Sequence, residues 1–467
     1  MNVASLVEAW VAAGPDRPAV RSPDLALTRR ELDRRAGGAA LALRRRGVGP
    51  GDRVAVSIGD GAALAVALLA GWKLGATLAP LNPLLVPDER ERILAHLRPR
   101  VVLTEAPGGE ADGPAVEAPG APALVLFTSG TTGGPKGAVL SHRATAAALA
   151  SWAGPVMALG EDDVVLAALP LAHSFGLNGA LLAPLCAGAS VAALPRFAPD
   201  EALDAVERHR VTVLPAVATM FRRMLDSPRL DRARLAGLRL AVSGAAPCPY
   251  DLADEWRRRT GVRILRGYGL TELFRPISYL AGDPTDRPDA IGRAVPGVEA
   301  RAADDDGRPL PPGAVGELWI RTPAAMEGYL DQPEATRAVL EDGWFKTGDL
   351  ASVLPDGWVR IAGRKKELIL RGGYSVAPGE VEAALLAHDA VAEAAVVGVP
   401  HPDLGEEVAA FVLLRPGASA SPEALIAHCR GLLAPFKCPR QVRVVADLPR
   451  TATGKVAKAR LSETARG

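Results

Sequence analysis

Net charge is almost absent from this chain. Lys and Arg number 54 against 53 Asp and Glu, which leaves +1 and gives no global electrostatic case for binding nucleic acid or an anionic membrane. Cysteine is scarce. Cys186, Cys248, Cys429 and Cys438 form no CxxC pair and no metal-ligand spacing, which argues against a disulfide framework or a structural zinc site. They read as reduced, mostly buried thiols of a cytoplasmic protein. A signal peptide is not apparent either, since Met1 to Trp10 carries Glu8 and no basic segment. The most apolar long window, Phe175 to Leu194, is interrupted by Asn178, Pro184 and small residues, so it reads as buried strand and helix and not as a membrane span. No internal repeat is visible.

What is present describes a folded, multidomain protein. At 467 residues the chain exceeds one ordinary core, and 48% apolar with 23% charged residues excludes disorder. Apolar runs of strand length, such as Val54–Ile58, Leu124–Phe127, Val164–Leu169, Val211–Leu214 and Leu238–Val242, alternate with helical stretches such as Ala62–Leu74 and Pro199–Arg210. That alternation predicts an α/β protein with largely parallel sheets. Beyond Gly292 the texture changes to short alternating segments with turns at Asp306-Gly307, Asp342-Gly343 and Asp356-Gly357, which predict antiparallel hairpins. The charged stretch Gly363–Glu367 reads as a hinge, followed by a compact α+β tail of about 100 residues, typical of a small domain. Residues 105–122 read as an exposed, mobile Gly/Pro/Ala loop.

The most telling segment is Leu124-Val-Leu-Phe-Thr-Ser-Gly-Thr-Thr-Gly-Gly-Pro-Lys-Gly137. An apolar run stops in a loop of hydroxyls, backbone N–H groups and one lysine, the groups needed to surround a polyphosphate. It is not a Walker A loop, because Pro135 precedes Lys136 and Gly137 follows it. Five further segments accompany it: Pro170-Leu-Ala-His-Ser-Phe-Gly176, Leu265-Arg-Gly-Tyr-Gly-Leu-Thr-Glu272, Trp344-Phe-Lys-Thr-Gly-Asp-Leu350, the run from Gly363 to Glu382, and Pro449-Arg-Thr-Ala-Thr-Gly-Lys455.

In this order the six segments resemble the ANL adenylate-forming superfamily, which includes acyl- and aryl-CoA synthetases, adenylation domains of peptide synthetases and beetle luciferase. The similarity runs from roughly residue 5 to 462. It implies a large α/β N-terminal domain over 1–365, with stacked, mostly parallel sheets and a distorted antiparallel barrel. A small mobile α+β domain over 366–467 would turn about a hinge near Lys366. It also implies ATP, Mg²⁺ and, as co-substrate, CoA. Thr128, Ser129, Gly130, Thr131, Thr132 and Lys136 would clamp the β- and γ-phosphates, and Glu272 would hold the metal while Thr271 holds the α-phosphate. Tyr268, between Gly267 and Gly269, would face adenine, opposite the turn containing Gly244, Ala245 and Ala246. Asp349 and Arg364 would hold the ribose.

Activating a carboxylate with ATP brings two anions together at the α-phosphorus, so cations must cancel the repulsion. By resemblance Lys455 does so on the mobile domain. His173 would guard the acyl pocket without acid–base work, because the carboxylate is already ionised at neutral pH. After acyl-AMP forms, the small domain would present Gly372 and Gly373, whose missing side chains leave a tunnel for the pantetheine thiol. Partners implied are a small-molecule carboxylic acid and CoA, or alternatively an acyl carrier protein, with the enzyme a cytoplasmic monomer or homodimer. No nucleic acid and no transmembrane segment are expected. A nucleotide-binding pseudoenzyme is the remote alternative, and the presence of Lys455, Glu272 and Asp349 argues against it.

The acid is less legible. No aspartate follows the strand leading to His173, against an amino acid substrate. The motifs look most like fatty or medium-chain ligases, with aryl and dicarboxylic acids as alternatives. Leu273-Phe274-Arg275-Pro276 departs from the usual small hydroxyl residues after the glutamate and would narrow the pocket. Arg275 reads as a surface residue, its alternative being the counter-ion of a second carboxylate. The segment between Val101 and Leu124 is short, so the N-terminal domain would lack a helix–strand portion.

Overall fold

A computed structural model describes residues 2–113, 115–118, 120–128, 135–283, 287–372, 374–450 and 456–466. The chain divides into two compact units, Met1–Glu299 with Ile320–Phe345, and Ala300–Trp319 with Lys346–Gly467.

The first unit holds two sheets. One runs in the order Ile264–Leu265, Leu240–Ser243, Val213–Ala216, Val164–Ala167, Ser190–Ala193, Pro18–Arg21, Ala26–Thr28 and is parallel except at its last pair. The other has Val101–Leu103, Arg53–Val56, Thr77–Pro80 and Pro122–Thr128 in parallel, then Lys136–Ser141 and Gly328–Tyr329 added antiparallel. Helix Gly61–Lys73 touches strands of both sheets and is buried along almost its whole length, which is why it is apolar all round. Asp60 caps it by accepting from the Ala63 amide at 2.8 Å. The Phe175–Leu194 window is buried helix followed by the strand Ser190–Ala193, as expected.

The described residues of the loop over 105–122 are exposed or half-buried, as expected. The loop lies against helix Arg29–Arg45, where Gly37 and Gly38 leave no Cβ in the way. A Cβ at Gly37 would sit 2.0 Å from the Ala111 carbonyl oxygen, and one at Gly38 2.1 Å from the Gly109 carbonyl carbon. The Ala111 amide donates to the Arg34 carbonyl. Buried Lys73 donates to the Gly113 carbonyl at 2.6 Å and pairs with Glu8 and Asp33. Backbone polar groups satisfied in this way tie the segment down. No helix or strand lies between Leu103 and Pro122 among the described residues, in keeping with the short insertion.

The first unit also carries the hairpin Gly267–Leu270 with Phe274–Ser278. All three Asp-Gly pairs are turns. Asp342 and Gly343 both have positive φ (49° and 77°) and join Leu340–Glu341 to the strand beginning at Trp344, as a two-residue hairpin requires. Gly357 at φ 81° links Trp344–Val353 to Trp358–Arg364, and Gly307 at 79° lies in the turn closed by the Ala303–Pro309 bridge.

The tail is the α+β structure expected. Val391–His401 and Gly405–Leu414 pair antiparallel along their full length. Their alternating side chains feed two cores. Val396, Val408, Ala410 and Val412 meet Val381, Leu385 and Leu425 of two helices, and Val397, Val399 and Phe411 meet Leu448 and Leu461 on the other face. All four cysteines are free thiols, with Cys429 and Cys438 buried and Cys186 and Cys248 half-buried. No described helix is long and apolar enough to cross a membrane.

Candidate functional site

Parallel strands release their chain at one edge, where loops from successive strands converge. The seven-stranded sheet does this with the predicted segments. Val164–Ala167 leads to the loop of His173, Leu240–Ser243 to Gly244, Ala245 and Ala246, and Ile264–Leu265 to Gly267, Tyr268 and Gly269. Half-buried His173 closes a turn, its amide donating to the Pro170 carbonyl at 3.2 Å and its own carbonyl accepting from Leu177 at 2.8 Å. Ala245 has φ 63° and Phe274 φ 58°. Such a backbone is uncommon for residues with a Cβ and concentrates at sites the surroundings hold in place.

Glu272 sits in the tight turn between Gly267–Leu270 and Phe274–Ser278, not in the first turn of a helix. Thr271 precedes it in the same turn. Gly269 is obligatory there, because a Cβ would fall 2.0 Å from the Phe274 carbonyl oxygen. The Glu272 side chain is 9% exposed. Its Oε1 accepts from the Tyr329 hydroxyl at 2.8 Å, and its backbone carbonyl accepts from Met326. Burial, then the negative charge of Glu272 and the hydrogen bond to it, push the Tyr329 phenol well above its usual range. Tyr329 is therefore a permanent donor. Lys136 Nζ lies over the same ring, 5.1 Å from its centroid. A cation and a carboxylate thus share one phenol.

Lys136 opens the strand Lys136–Ser141, paired with Pro122–Thr128 so that Thr128 faces Lys136 at the mouth of the loop. The Thr128 hydroxyl donates to the Lys136 carbonyl at 3.4 Å. Ser129, Gly130, Thr131 and Thr132 lie outside the described residues, as do Gly373 and Lys455.

The second unit brings together the two residues expected at a ribose. Asp349 and Arg364 are cross-strand partners, with Arg364 Nε donating to Asp349 Oδ1 at 3.2 Å. Asp349 is buried, its amide donating to the Thr347 hydroxyl at 3.1 Å. Exposed Lys366 occupies the short turn Lys365–Glu367. Gly372 has φ 56°, its amide donating to the Leu404 carbonyl. Beside it Arg371 makes a buried two-pronged pair with Glu407 at 2.5 and 3.0 Å. Around Lys455, Arg450 and Val456 form an antiparallel bridge, and Arg450 is paired to Glu393 at 2.8 Å.

One expectation is corrected. Arg275 is not a surface residue but is 6% exposed. Its Nε donates to Ser278 Oγ at 2.9 Å, Nη1 to the Ser243 carbonyl at 2.7 Å and Nη2 to the Leu265 carbonyl at 3.2 Å. Phe274–Ser278 is buried on both faces, so a side chain on either face of this strand is enclosed. Tyr329 is the residue that the sequence reading passed over. Nothing in its sequence neighbourhood marked it; locally it is fixed by Gly328, at φ 153°, and by the Thr336 hydroxyl, which accepts from the Tyr329 amide.

The chain matches the AMP-binding enzyme family over residues 7–118 and 109–330, and that family's C-terminal domain over 380–455. The chain belongs to the AMP-binding enzymes. A sulfoacetate–CoA ligase of Cupriavidus necator is 36% identical over 98% of this chain and 97% of its own length. A long-chain-fatty-acid–CoA ligase of Bacillus subtilis is 36% identical over 73% of this chain and 61% of its own. The crystal structure of ATP-bound MatB from Rhodopseudomonas palustris superposes with a TM-score of 0.93 at 35% identity, covering 99% of both chains. This AMP-binding enzyme is an AMP-forming acid–thiol ligase, making acyl-CoA from a carboxylic acid, ATP and CoA.

Proposed function

We propose that the ligase uses the line Lys136–Tyr329–Glu272 to hold the phosphates of ATP while a carboxylate attacks the α-phosphorus. The carboxylate oxygen forms a bond to phosphorus, pyrophosphate leaves, and acyl-AMP results. A CoA thiolate then attacks the acyl carbonyl and AMP leaves. The observation that carries this reading is the shared phenol. Tyr329 fixes one carboxylate oxygen at 2.8 Å and seats the Lys136 cation on its ring, so a phosphate-binding charge and a metal-binding charge are held in one arrangement without neutralising each other.

Glu272 fits a Mg²⁺ ion. No group of three or more His, Cys, Asp or Glu suited to a metal occurs among the described residues, and a hard cation held by one carboxylate completes its shell with phosphate and water. When bound, the ion would neutralise phosphate charge. Thr271 beside Glu272 would donate to the α-phosphate, and Asp349 would accept from the ribose hydroxyls with Arg364 orienting it. Lys455 would approach the α-phosphate from residues 366–467, turning about Lys366, and Gly372 with Gly373 would serve the thiol step. His173 would border the acid.

The relatives' acids run from a long alkyl chain to a two-carbon sulfonate, so likeness alone supports no single acid. Pyrophosphate release over aliphatic, aromatic and dicarboxylic acids, with and without CoA, tests the reading. Lys455→Ala should abolish ATP–pyrophosphate exchange while sparing thioester formation from supplied acyl-AMP. Exchange at the wild-type rate in that variant would remove Lys455 from the mechanism.

A further inference from the structure

Arg275 carries a buried charge that no carboxylate pairs with among the described residues, although the Cys248 thiol nearby favours the charged form. It is 6% exposed, yet its three acceptors are two backbone carbonyls and a serine hydroxyl, and no acidic side chain pairs with it among the described residues. Burial draws its guanidinium down only to about 9, so it is a cation at neutral pH. Buried arginines are ordinarily matched by carboxylates, because an uncompensated charge in a dry site is strongly unfavourable. A guanidinium has five N–H groups. With one donation each from Nε, Nη1 and Nη2, one N–H on each terminal nitrogen is left over, and such a pair of N–H groups is the fork with which a guanidinium grips a carboxylate.

The surroundings place this fork among the segments of the acid site. A Cβ at Gly267 would lie 2.4 Å from Arg275 Nη2, and one at Gly244 would lie 3.1 Å from Nη1 and 3.2 Å from the Phe175 ring. The two glycines make room for the guanidinium against the loops expected to hold adenylate. Arg275 lies over Trp152, 5.0 Å from the ring centroid, and Trp152 stacks on Phe175 at 5.6 Å, two residues after His173. The Trp152 Nε1 and Ser243 Oγ atoms are buried with no hydrogen-bond partner. Both are groups that a polar ligand could satisfy. A long alkyl chain would leave all of them unsatisfied.

Resting on the adenylation reading above, we propose that Arg275 is a specificity residue that receives the second anionic group of a short acid, a carboxylate or sulfonate, while the first carboxylate is activated. The stacked rings close the space beyond it and keep the acid compact.

The test compares matched acids, malonate and succinate with propionate and butyrate, and sulfoacetate as the sulfonate arm, by pyrophosphate release with CoA present. The wild type should favour dianions by ~100-fold or more in kcat/KM, as sites built around a polar substrate group do. Arg275→Met should bring that ratio to about one, and Arg275→Lys should retain part of it. Malonate with sulfoacetate tells which anion is preferred. A wild type that favours the monoacids, or an Arg275→Met variant that keeps the preference, overturns the proposal while leaving adenylation intact. Should no acid release pyrophosphate, the adenylation reading falls instead. Calorimetric binding of malonate and sulfoacetate then decides on Arg275, with binding lost in Arg275→Met supporting it and equal binding overturning it. If Arg275→Met does not fold, the wild-type preference and the Arg275→Lys variant decide.

Discussion

Replacing Tyr329 by phenylalanine separates the two charges that its phenol holds. The substitution removes the 2.8 Å donation to Glu272 Oε1 and leaves the ring under Lys136. A hydrogen bond to a charged group is worth about 1.5–3 kcal/mol. The contact of a lysine with an aromatic face, about 0.5–2 kcal/mol, survives. Glu272 is 9% exposed, so water replaces the lost donor poorly and the carboxylate is free to leave its orientation. If that orientation serves ATP, kcat/KM for ATP should fall by ~10- to ~150-fold, the same free energy at 1.4 kcal/mol per decade. The acid KM should hold steady. ATP–pyrophosphate exchange at varied ATP and Mg²⁺ measures it, with Glu272→Gln as the reference loss and Tyr329→Leu removing the Lys136 contact as well. A Tyr329→Phe enzyme within twofold of wild type, beside a disabled Glu272→Gln, would refute the orienting role.

Two predictions concern stability. His142 is fully buried, its Nδ1 accepting from the Val3 amide at 3.1 Å, and burial lowers its pKa from 6.5 to about 4. The unfolded chain then takes up a proton that the folded chain refuses. The neutral ring's contribution is whole above pH 6.5 and is lost as pH falls from 6.5 towards 4, by about 3 kcal/mol at most. Urea midpoints across pH 4–7 should show this slope, and His142→Gln should flatten it; an unchanged slope would exonerate His142. Gly38→Ala drives a Cβ to within 2.1 Å of the Gly109 backbone and should destabilise by about 1–3 kcal/mol. It should also speed proteolysis within residues 105–118, and an unaltered cleavage rate would deny that the helix anchors that loop.

Much of the architecture was legible because local chemistry and global fold agree. Continuous apolar strands separated by helices belong to parallel sheets, and Asp-Gly between alternating runs turns a hairpin wherever its φ is positive, as at Asp342 and Gly343. The loop over 105–122 is as exposed as its composition implies, but its seat on a helix was not legible. What holds it is the Gly37-Gly38 pair some 70 residues earlier, and steric room is invisible until two segments meet.

By itself, then, the sequence determined the order of the motifs, the family they belong to and the chemical kinds of group on offer: hydroxyls and a lysine for phosphate, a lone carboxylate for a hard cation, an aspartate and an arginine that prove to be strand partners. Those follow from residue type and spacing, which no tertiary contact alters. Only the tertiary structure decided which groups act on each other. Tyr329 reaches Glu272 across 57 residues, and Arg275 turns from a surface charge into a buried, unmatched one. The physical reason is the same in both cases. A side chain's charge, donor capacity and protonation depend on what surrounds it, and burial beside residues distant in sequence is settled only when the sheets pack.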